Sequence, residues 1–179
     1  MKGIVFTEFL EMVEEKYGYE IVDKIIDESQ LPSGGSYTSI GTYSHAEMVH
    51  LITGLSRHTS EDVPSLLKAF ALYFFDTLEK TYPHFLEAAD NAFDFLESID
   101  KYIHVEVRKL YPDAELPHFE TRQLADNKLE MIYSSERSMA DFAEGLMERA
   151  IGYYGESASI VRQNLTADGK KVQFIVTKQ

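Results

Sequence analysis

The sequence "YSSERS" places two hydroxyl groups and a guanidinium at alternate positions, as Tyr133, Ser135 and Arg137. A strand that continued through this segment would put all three on one face, together with Leu129 and Met131. The planar fork of arginine matches carboxylate or phosphate oxygens, and tyrosine and serine hydroxyls add further donors. The pattern therefore predicts a site for one or two carboxylates where the strand leaves the core. Ordinary surface hydrogen bonds at a strand end are the competing interpretation.

His104 is the second residue that could carry chemistry, in the segment "IDKYIHVEVRKLYP". On a helical wheel it lies on the flank of an apolar stripe, about a right angle from its centre. The stripe consists of Leu96, Ile99, Ile103, Val107 and Leu110. A neutral imidazole at such a position could bind a metal, act as a base or hydrogen-bond a backbone carbonyl. The remaining histidines lack the helical spacing of metal ligands, so a zinc enzyme is not favoured.

The size and composition of the chain indicate one folded domain, residues 1–179. Hydrophobic residues make up 44% of it, with 11 Phe and 11 Tyr among the aromatic side chains, which is enough to build a packed core. The chain has no cysteine, so disulfides, thiolate metal sites and cysteine nucleophiles are excluded. A metal would need His, Asp, Glu or Tyr as its ligands.

The charge of the chain bears on its partners. A net charge of −13 disfavours nucleic acid, because phosphate backbones require a basic surface. No run of about 18 apolar residues is present, so we expect no membrane-spanning helix. The opening "MKGIVFTEFLEMVEE" carries acidic residues that a secretory signal peptide lacks. Together these features predict a cytoplasmic protein that binds neither membranes nor nucleic acids.

Residues 1 to about 112 have the periodicity of helices. A first amphipathic helix is expected to end at Gly18, with a second helix directly after it. Beyond a glycine-rich loop, Ser44 and Glu47 have the spacing of a capping box, in which two side chains cap the first turn reciprocally. Ser60 is expected to open a longer helix, and one or two further helices complete this part.

The period changes in the second part, residues 113–179. The segments "HFETRQL" and "KLEMIYSS" flank "ADN", and "SASIVRQNL" and "KVQFIVTK" flank "TADG", so two antiparallel hairpins are predicted. The segment "MADFAEGLMERAIGYY" between them is expected to form a helix. The predicted fold class is therefore α+β, with an N-terminal helical part packed on a four-stranded antiparallel sheet that carries an inserted helix.

One histidine from a helix, a donor cluster suited to two carboxylates and many large apolar side chains are what a haem requires of a protein. With its histidine helix followed by a proline, and Tyr-x-Ser-x-Arg present as "YSSER", the chain resembles the haem nitric oxide/oxygen binding (H-NOX) family. The "MKG" opening and the closing α-β-β arrangement are also similar, so the resemblance covers essentially the whole length. It implies a stand-alone sensor that binds haem b between the helical part and the sheet.

The resemblance implies a role for each residue that matches the family pattern. His104 would be the proximal iron ligand, and Tyr133, Ser135 and Arg137 would hold the two propionates. Pro117 would be the proline that packs against the haem and helps to distort the macrocycle. The distal side would be closed by six apolar residues from three helices. These are Val5, Phe9, Phe74, Leu78, Phe142 and Leu146.

Phe142 bears on which gas would bind. Oxygen-binding members of the family carry a tyrosine at this position, whose hydroxyl donates to the bound gas. Phenylalanine has no such donor, and neither Phe9 nor Phe74 supplies one. The expectation is a ferrous protein that binds nitric oxide and carbon monoxide but forms no stable oxygen complex. Tyr73 is the donor to consider if an oxygen complex does form.

The resemblance further implies a regulatory protein, not an enzyme. Nitric oxide would break the bond from iron to His104, and the released helix would signal to a separate histidine kinase or diguanylate cyclase. A haem enzyme such as a peroxidase would need a distal acid or base, which the expected distal residues do not provide. Two competing hypotheses do without haem. One is a signalling module in which a solvent-accessible His104 accepts a phosphoryl group, and the second is a scaffold that binds no ligand.

Overall fold

The computed structural model describes residues 1–179, the whole of the sequence. The helices are α1 (Gly3–Tyr17), α2 (Tyr19–Glu28), α3 (His45–Thr59), α4 (Val63–Thr81), α5 (Pro83–Glu87), α6 (Ala92–Ser98), α7 (His104–Leu110) and α8 (Ala140–Tyr153). One turn of π-helix, Ile99–Ile103, joins α6 to α7. The strands are β1 (His118–Ala125), β2 (Lys128–Ser134), β3 (Ala158–Asn164) and β4 (Lys171–Lys178). No helix combines the length and apolar character needed to span a bilayer.

The helix ends follow local capping chemistry. Gly18 has φ 86°, a left-handed conformation that glycine adopts without strain, and it ends α1 as predicted. The prediction that Ser60 opens the long helix was wrong, because Ser60 terminates α3 at φ 61°. Asp62 opens α4 instead, since its carboxylate accepts a hydrogen bond from the backbone N–H of Ser65 at 2.8 Å.

Only half of the predicted capping box forms. Ser44 Oγ accepts from the backbone N–H of Ala46 at 3.2 Å and so caps α3. Glu47 is buried and turns toward the preceding loop, where Ser33 and Tyr37 donate their hydroxyl protons to its Oε2, Tyr37 at 3.0 Å. A buried carboxylate requires donors, and the loop supplies them. Glu47 therefore ties the loop to α3 and does not cap the helix.

The sheet has the strand order β1-β2-β4-β3, and each neighbouring pair is antiparallel. Both predicted hairpins are confirmed. Asp126 and Asn127 connect β1 to β2. The longer loop between β3 and β4 contains Asp168 and Gly169, and Gly169 adopts φ 70°. The element order and the antiparallel sheet confirm the predicted α+β class.

A bulge between Gln123 and Ala125 shifts the pairing of β1 with β2 by one residue. Side chains alternate between the two faces of a sheet, so this shift decides which residues of β1 face the core. It brings Phe119 opposite Tyr133, whereas the register at the hairpin turn would have put it opposite Ser134. The bulge thus places an aromatic ring beside the tyrosine of the predicted motif.

Two apolar clusters form the core, one among α1, α2, α3 and α4, and one between the sheet, α6 and α8. Helix α8 connects them, because its side chains contact both clusters. It lies very close to α4: a Cβ added at Gly145 would be 2.7 Å from the Cβ of Ala71. The glycine at this position therefore permits the contact that joins the helical part to the sheet.

Candidate functional site

The helix predicted around His104 is interrupted. The backbone N–H of His104 donates to the carbonyl of Ile99, five residues earlier, which is the hydrogen bond of a π turn. Neither the π turn nor α7 contains a fully buried residue, and Leu110 is 60% exposed. Of the predicted apolar stripe, only Leu96 is fully buried in the core. No side chain of α7 is therefore fully enclosed by the rest of the protein.

His104 is the first residue of α7, and its side chain is only 12% exposed. Its Nδ1 lies 3.2 Å from Oδ1 of Asp100, and a carboxylate can only accept, so Nδ1 carries the proton. Burial lowers the pKa of His104, although Asp100 opposes that effect. The imidazole is therefore neutral at pH 7 and its Nε2 lone pair is free to bind a metal. Its low exposure removes the solvent access that a phosphoryl acceptor requires.

Asp100, in the π turn, was missed in the sequence. It contacts three groups: His104, His118 and the backbone N–H of Phe119. Besides its contact with His104, its Oδ2 lies 2.8 Å from Nδ1 of His118, and its Oδ1 accepts from the backbone N–H of Phe119 at 3.4 Å. Burial would raise the pKa of Asp100, but the hydrogen bond from His104 and the charge of His118 outweigh it and lower the pKa. The spacing of four residues before His104 was the signal in the sequence, since helical residues four apart share a face.

The predicted alternation of the motif residues does not continue past the strand, because β2 ends at Ser134. Beyond it the chain turns: Ser135 Oγ accepts from the backbone N–H of Arg137 at 3.2 Å. Tyr133 is 2% exposed, and its hydroxyl accepts from the backbone N–H of Met139 at 3.0 Å. Ser135 and Arg137 therefore lie in a turn after the strand and do not continue its face. The hydroxyl protons of Tyr133 and Ser135 remain available to a ligand.

Arg137 lines a cavity of about 250 Å³. Its Nη2 lies 2.8 Å from Oε2 of Glu115, and its Nη1 donates to the backbone carbonyl of the same residue. Lys2 and His45 line the same cavity, with Asp113 as its second acid. Burial, followed by the charge of Arg137, lowers the pKa of His45. The guanidinium is paired with a carboxylate of the protein itself, and its predicted role toward a ligand carboxylate stays a prediction.

Pro117 is half-buried directly before β1. Nearby residues on both sides of it in the chain contact the two parts of the predicted site, the motif turn and the histidine. Glu115 is held by Arg137, and His118 by Asp100. Pro117 thus lies in the short segment that links the motif turn to the histidine.

Phe119 connects the same two parts through space, and it was missed in the sequence. Its ring centroid is 6.1 Å from that of His104 and 5.7 Å from that of Tyr133. It is 8% exposed, and its backbone N–H donates to Asp100. The sequence could have indicated Phe119 as an apolar residue of β1. Its pairing with Tyr133, however, depends on the bulge, and no sequence pattern predicted the bulge.

The six apolar residues predicted for the distal side lie in or against one cluster. Phe9 and Phe74 are buried in it, and Val5, Leu78, Phe142 and Leu146 pack against it. At its centre is Phe70, whose ring centroid is 5.3 Å from that of Phe9, 5.7 Å from that of Phe74 and 5.1 Å from that of Phe142. Phe70 lies one turn before Phe74 on α4, so helical period would have identified it. None of these side chains carries a hydrogen-bond donor.

Tyr73, next to Phe74 on α4, is one of the tyrosines that pack against this cluster. Burial, followed by the carboxylates of Glu11 and Glu15, raises the pKa of Tyr73 to about 12. Its hydroxyl therefore lies beside the acidic face of α1. This position argues against Tyr73 as a donor to a ligand among the aromatic rings.

The donor set fits a haem. His104 offers one free nitrogen from a largely buried imidazole, as an axial ligand must. Tyr133, Ser135 and Arg137 offer two hydroxyl protons and a guanidinium that already pairs with a carboxylate. The ring of Phe119 lies near both His104 and Tyr133, and a separate cluster contributes the phenyl side chains of α1, α4 and α8. A metal-binding nitrogen, donors for carboxylates and apolar rings are the kinds of group that a haem requires of a protein.

The family model described as Haem-NO-binding matches residues 2–162. The chain belongs to the haem-NO-binding family, that of the H-NOX proteins. The H-NOX protein from K. algicida, solved in the Fe(II) unliganded state, is 47% identical with a TM-score of 0.97, over 100% of this chain and 97% of that one. None of the curated proteins matches the chain.

Two further H-NOX structures are similar. The IWP-051-bound protein from Shewanella woodyi in the Fe(II)CO state is 39% identical, with a TM-score of 0.85 over 100% of this chain and 95% of that one. The protein from S. oneidensis in the Fe(II)NO state is 25% identical, with a TM-score of 0.92 over 100% of this chain and 99% of that one. The predicted family and fold are thereby confirmed: this is an H-NOX protein, a member of a family of haem-based gas sensors.

Proposed function

We propose that this H-NOX protein is a nitric oxide sensor in which residues 1–179 form one unit and His104 binds the iron of haem b. One observation carries the proposal: the largely buried imidazole of His104 gives its Nδ1 proton to Asp100 and keeps Nε2 free, in a chain that matches the Haem-NO-binding family. The motif residues would hold the propionates, and Pro117 would pack against the macrocycle. The anchors are Tyr133, Ser135 and Arg137.

The apolar cluster that contains Phe9 and Phe74 supports a proposal about which gases bind. A bound haem would supply a ferrous iron as the binding site for nitric oxide or carbon monoxide, and His104 would be the residue that holds this iron. A stable oxygen complex needs a hydrogen-bond donor, because charge moves onto the dioxygen. Phe9, Phe74 and Phe142 supply none, and the hydroxyl of Tyr73 lies beside Glu15. We therefore expect nitric oxide and carbon monoxide to bind and oxygen not to bind stably.

Release of His104 would act on α7. This helix contains no fully buried residue, so few apolar contacts resist its movement. The moved helix would be read by a separate histidine kinase or diguanylate cyclase in the cytoplasm, and the sensor itself would catalyse no reaction. Coupling of this kind is worth about 1–3 kcal/mol, enough to change a partner's activity by about 5- to 150-fold.

The test is the absorption spectrum of the reduced, haem-loaded protein, before and after nitric oxide, in air and without air. We expect nitric oxide to give the spectrum of a haem without an axial histidine, and air to give no lasting oxygen complex. The variant His104→Gly should lose its haem and regain it when imidazole is supplied. With imidazole bound, nitric oxide should no longer change the partner's activity.

The matched control is His50→Gly, which removes an exposed imidazole from α3 at a similar cost in helix propensity. This variant should bind haem and respond to nitric oxide like the unchanged protein. Haem retention by His104→Gly without imidazole would contradict the assignment of the iron ligand. A lasting oxygen spectrum in air would contradict the proposed gas selectivity.

A further inference from the structure

We propose that Asp100 is a positioning residue that sets the strength of the bond between His104 and the iron, and that His118 holds Asp100 in place from β1. The inference rests on the proposed role of His104 as the iron ligand. It concerns a contact among three elements: the π turn, the start of α7 and the start of β1.

The geometry uses both oxygens of the carboxylate. Oδ1 of Asp100 lies 3.2 Å from Nδ1 of His104, and Oδ2 lies 2.8 Å from Nδ1 of His118. The backbone N–H of Phe119 donates to Oδ1 at 3.4 Å. The side chains of Asp100 and His104 are 19% and 12% exposed, so little water competes for their contact, whereas His118 is 56% exposed. Held from β1 by two neighbouring residues, the carboxylate is not free to rotate away from His104.

The chemical effect follows from the proton that His104 shares. A carboxylate that accepts the outer N–H of a metal-bound imidazole makes the imidazole a stronger donor to the metal and fixes the orientation of its ring. Asp100 therefore strengthens the bond that nitric oxide must break in the proposed mechanism. Release of His104 would break this hydrogen bond and would therefore act on the contact of Asp100 with His118 at the start of β1.

The variant Asp100→Asn tests this role, because it keeps the size of the side chain and removes the charge. We expect the iron–histidine stretching band of the reduced protein, measured by resonance Raman spectroscopy, to move to lower frequency. Dissociation of the histidine after nitric oxide binds should become about 10-fold faster, within the range of about 10- to 100-fold that such outer contacts contribute. An unchanged band together with an unchanged rate would overturn the inference.

Glu106→Gln is the matched control. It removes one carboxylate charge from the same helix, two residues beyond His104, and the contact of Glu106 is with Lys109. Its stretching band and its rate of histidine release should equal those of the unchanged protein. A shift as large as that of Asp100→Asn would mean that general charge near α7, and not the contact with Nδ1, sets the band, and would also overturn the inference.

A second measurement needs no variant that could fail to fold. In the carbon monoxide complex of the unchanged protein labelled with ¹⁵N-histidine, NMR should show a proton on Nδ1 of His104, shifted downfield as expected for a carboxylate acceptor. A shift typical of an imidazole that donates to water would refute the role of Asp100. Failure of the proposed function looks different, because then the unchanged protein shows no iron–histidine band, or the band persists in His104→Gly.

Discussion

The two sides of the site are built in opposite ways. On the side of α1, α4 and α8, phenyl rings from Phe9, Phe70, Phe74 and Phe142 pack against one another without a single hydrogen-bond donor. On the side of His104, hydrogen bonds and ion pairs accompany the single ring of Phe119, and α7 contains no fully buried residue.

This difference separates two tasks. Closely packed large rings are stiff and exclude water. In the proposed function the aromatic side would therefore set which ligand is stable, and would do so without changing its own position. Hydrogen bonds between a few polar groups hold one geometry but can break one at a time, so the histidine side can change position. In this protein selectivity and movement are therefore expected to depend on different residues, and substitutions should separate them.

The largest effect is expected from Phe70→Ala, at the centre of the aromatic side. Phe70 is fully buried, so its truncation should lower the free energy of unfolding by about 3–5 kcal/mol, the usual cost for a core phenylalanine. Urea denaturation of the haem-loaded protein measures it. Val105→Ala, on α7 and 40% exposed, should change the free energy by less than about 0.5 kcal/mol. Similar losses in both variants would show that the two sides do not differ in packing.

Leu72→Ala serves as the control on the same helix, because Leu72 of α4 is 43% exposed. It truncates a large apolar side chain without opening a cavity in the cluster. Its free energy of unfolding should stay within about 0.5 kcal/mol of that of the unchanged protein.

A smaller effect is expected from Phe142→Tyr, which adds a donor to the aromatic side. A hydroxyl bonded to charged oxygen is worth about 1.5–3 kcal/mol, so oxygen release should slow by about 10- to 100-fold and an oxygen spectrum should persist in air. Phe95→Tyr, on α6 and outside this cluster, should leave oxygen binding unchanged. If Phe142→Tyr still forms no oxygen complex, the absent donor is not what excludes oxygen.

The smallest effect is expected at His45, in the cavity that Arg137 lines. Because burial and Arg137 lower the pKa of His45 in the folded protein, the unfolded chain takes up a proton first as the pH falls. The contribution of His45 to stability is therefore complete above about pH 6.5, the ordinary value, and is lost as the pH falls toward the folded-state pKa. His45→Gln should unfold with a weaker dependence on pH than the unchanged protein.

Urea denaturation at two pH values, one on each side of the ordinary histidine pKa, measures this dependence. The control is His50→Gln on the same helix, where the imidazole is exposed, and its pH dependence should match that of the unchanged protein. An equal dependence in His45→Gln would show that neither burial nor the charge of Arg137 lowers the pKa of His45.

Much of the fold could be predicted from short segments. Gly18 ends α1, and the two hairpins form, because turn and cap chemistry acts between residues that are close in the chain. One local prediction was wrong because the side chain found its partners elsewhere in the fold. Glu47 has the spacing of a capping residue. Its carboxylate is buried, however, and it accepts hydrogen bonds from Ser33 and Tyr37, because a buried carboxylate requires donors that are close in space.

The candidate site divides in the same way. The sequence by itself determined the chemical types: a histidine on a helix, a tyrosine, a serine and an arginine within five residues, and phenylalanines at helical spacing. Only the tertiary structure decided that a bulge sets Phe119 against Tyr133, and that a π turn presents Asp100 to both His104 and His118. The reason is physical: periodicity is a property of neighbours in the chain, whereas strand register and side-chain pairing depend on which surfaces are buried together.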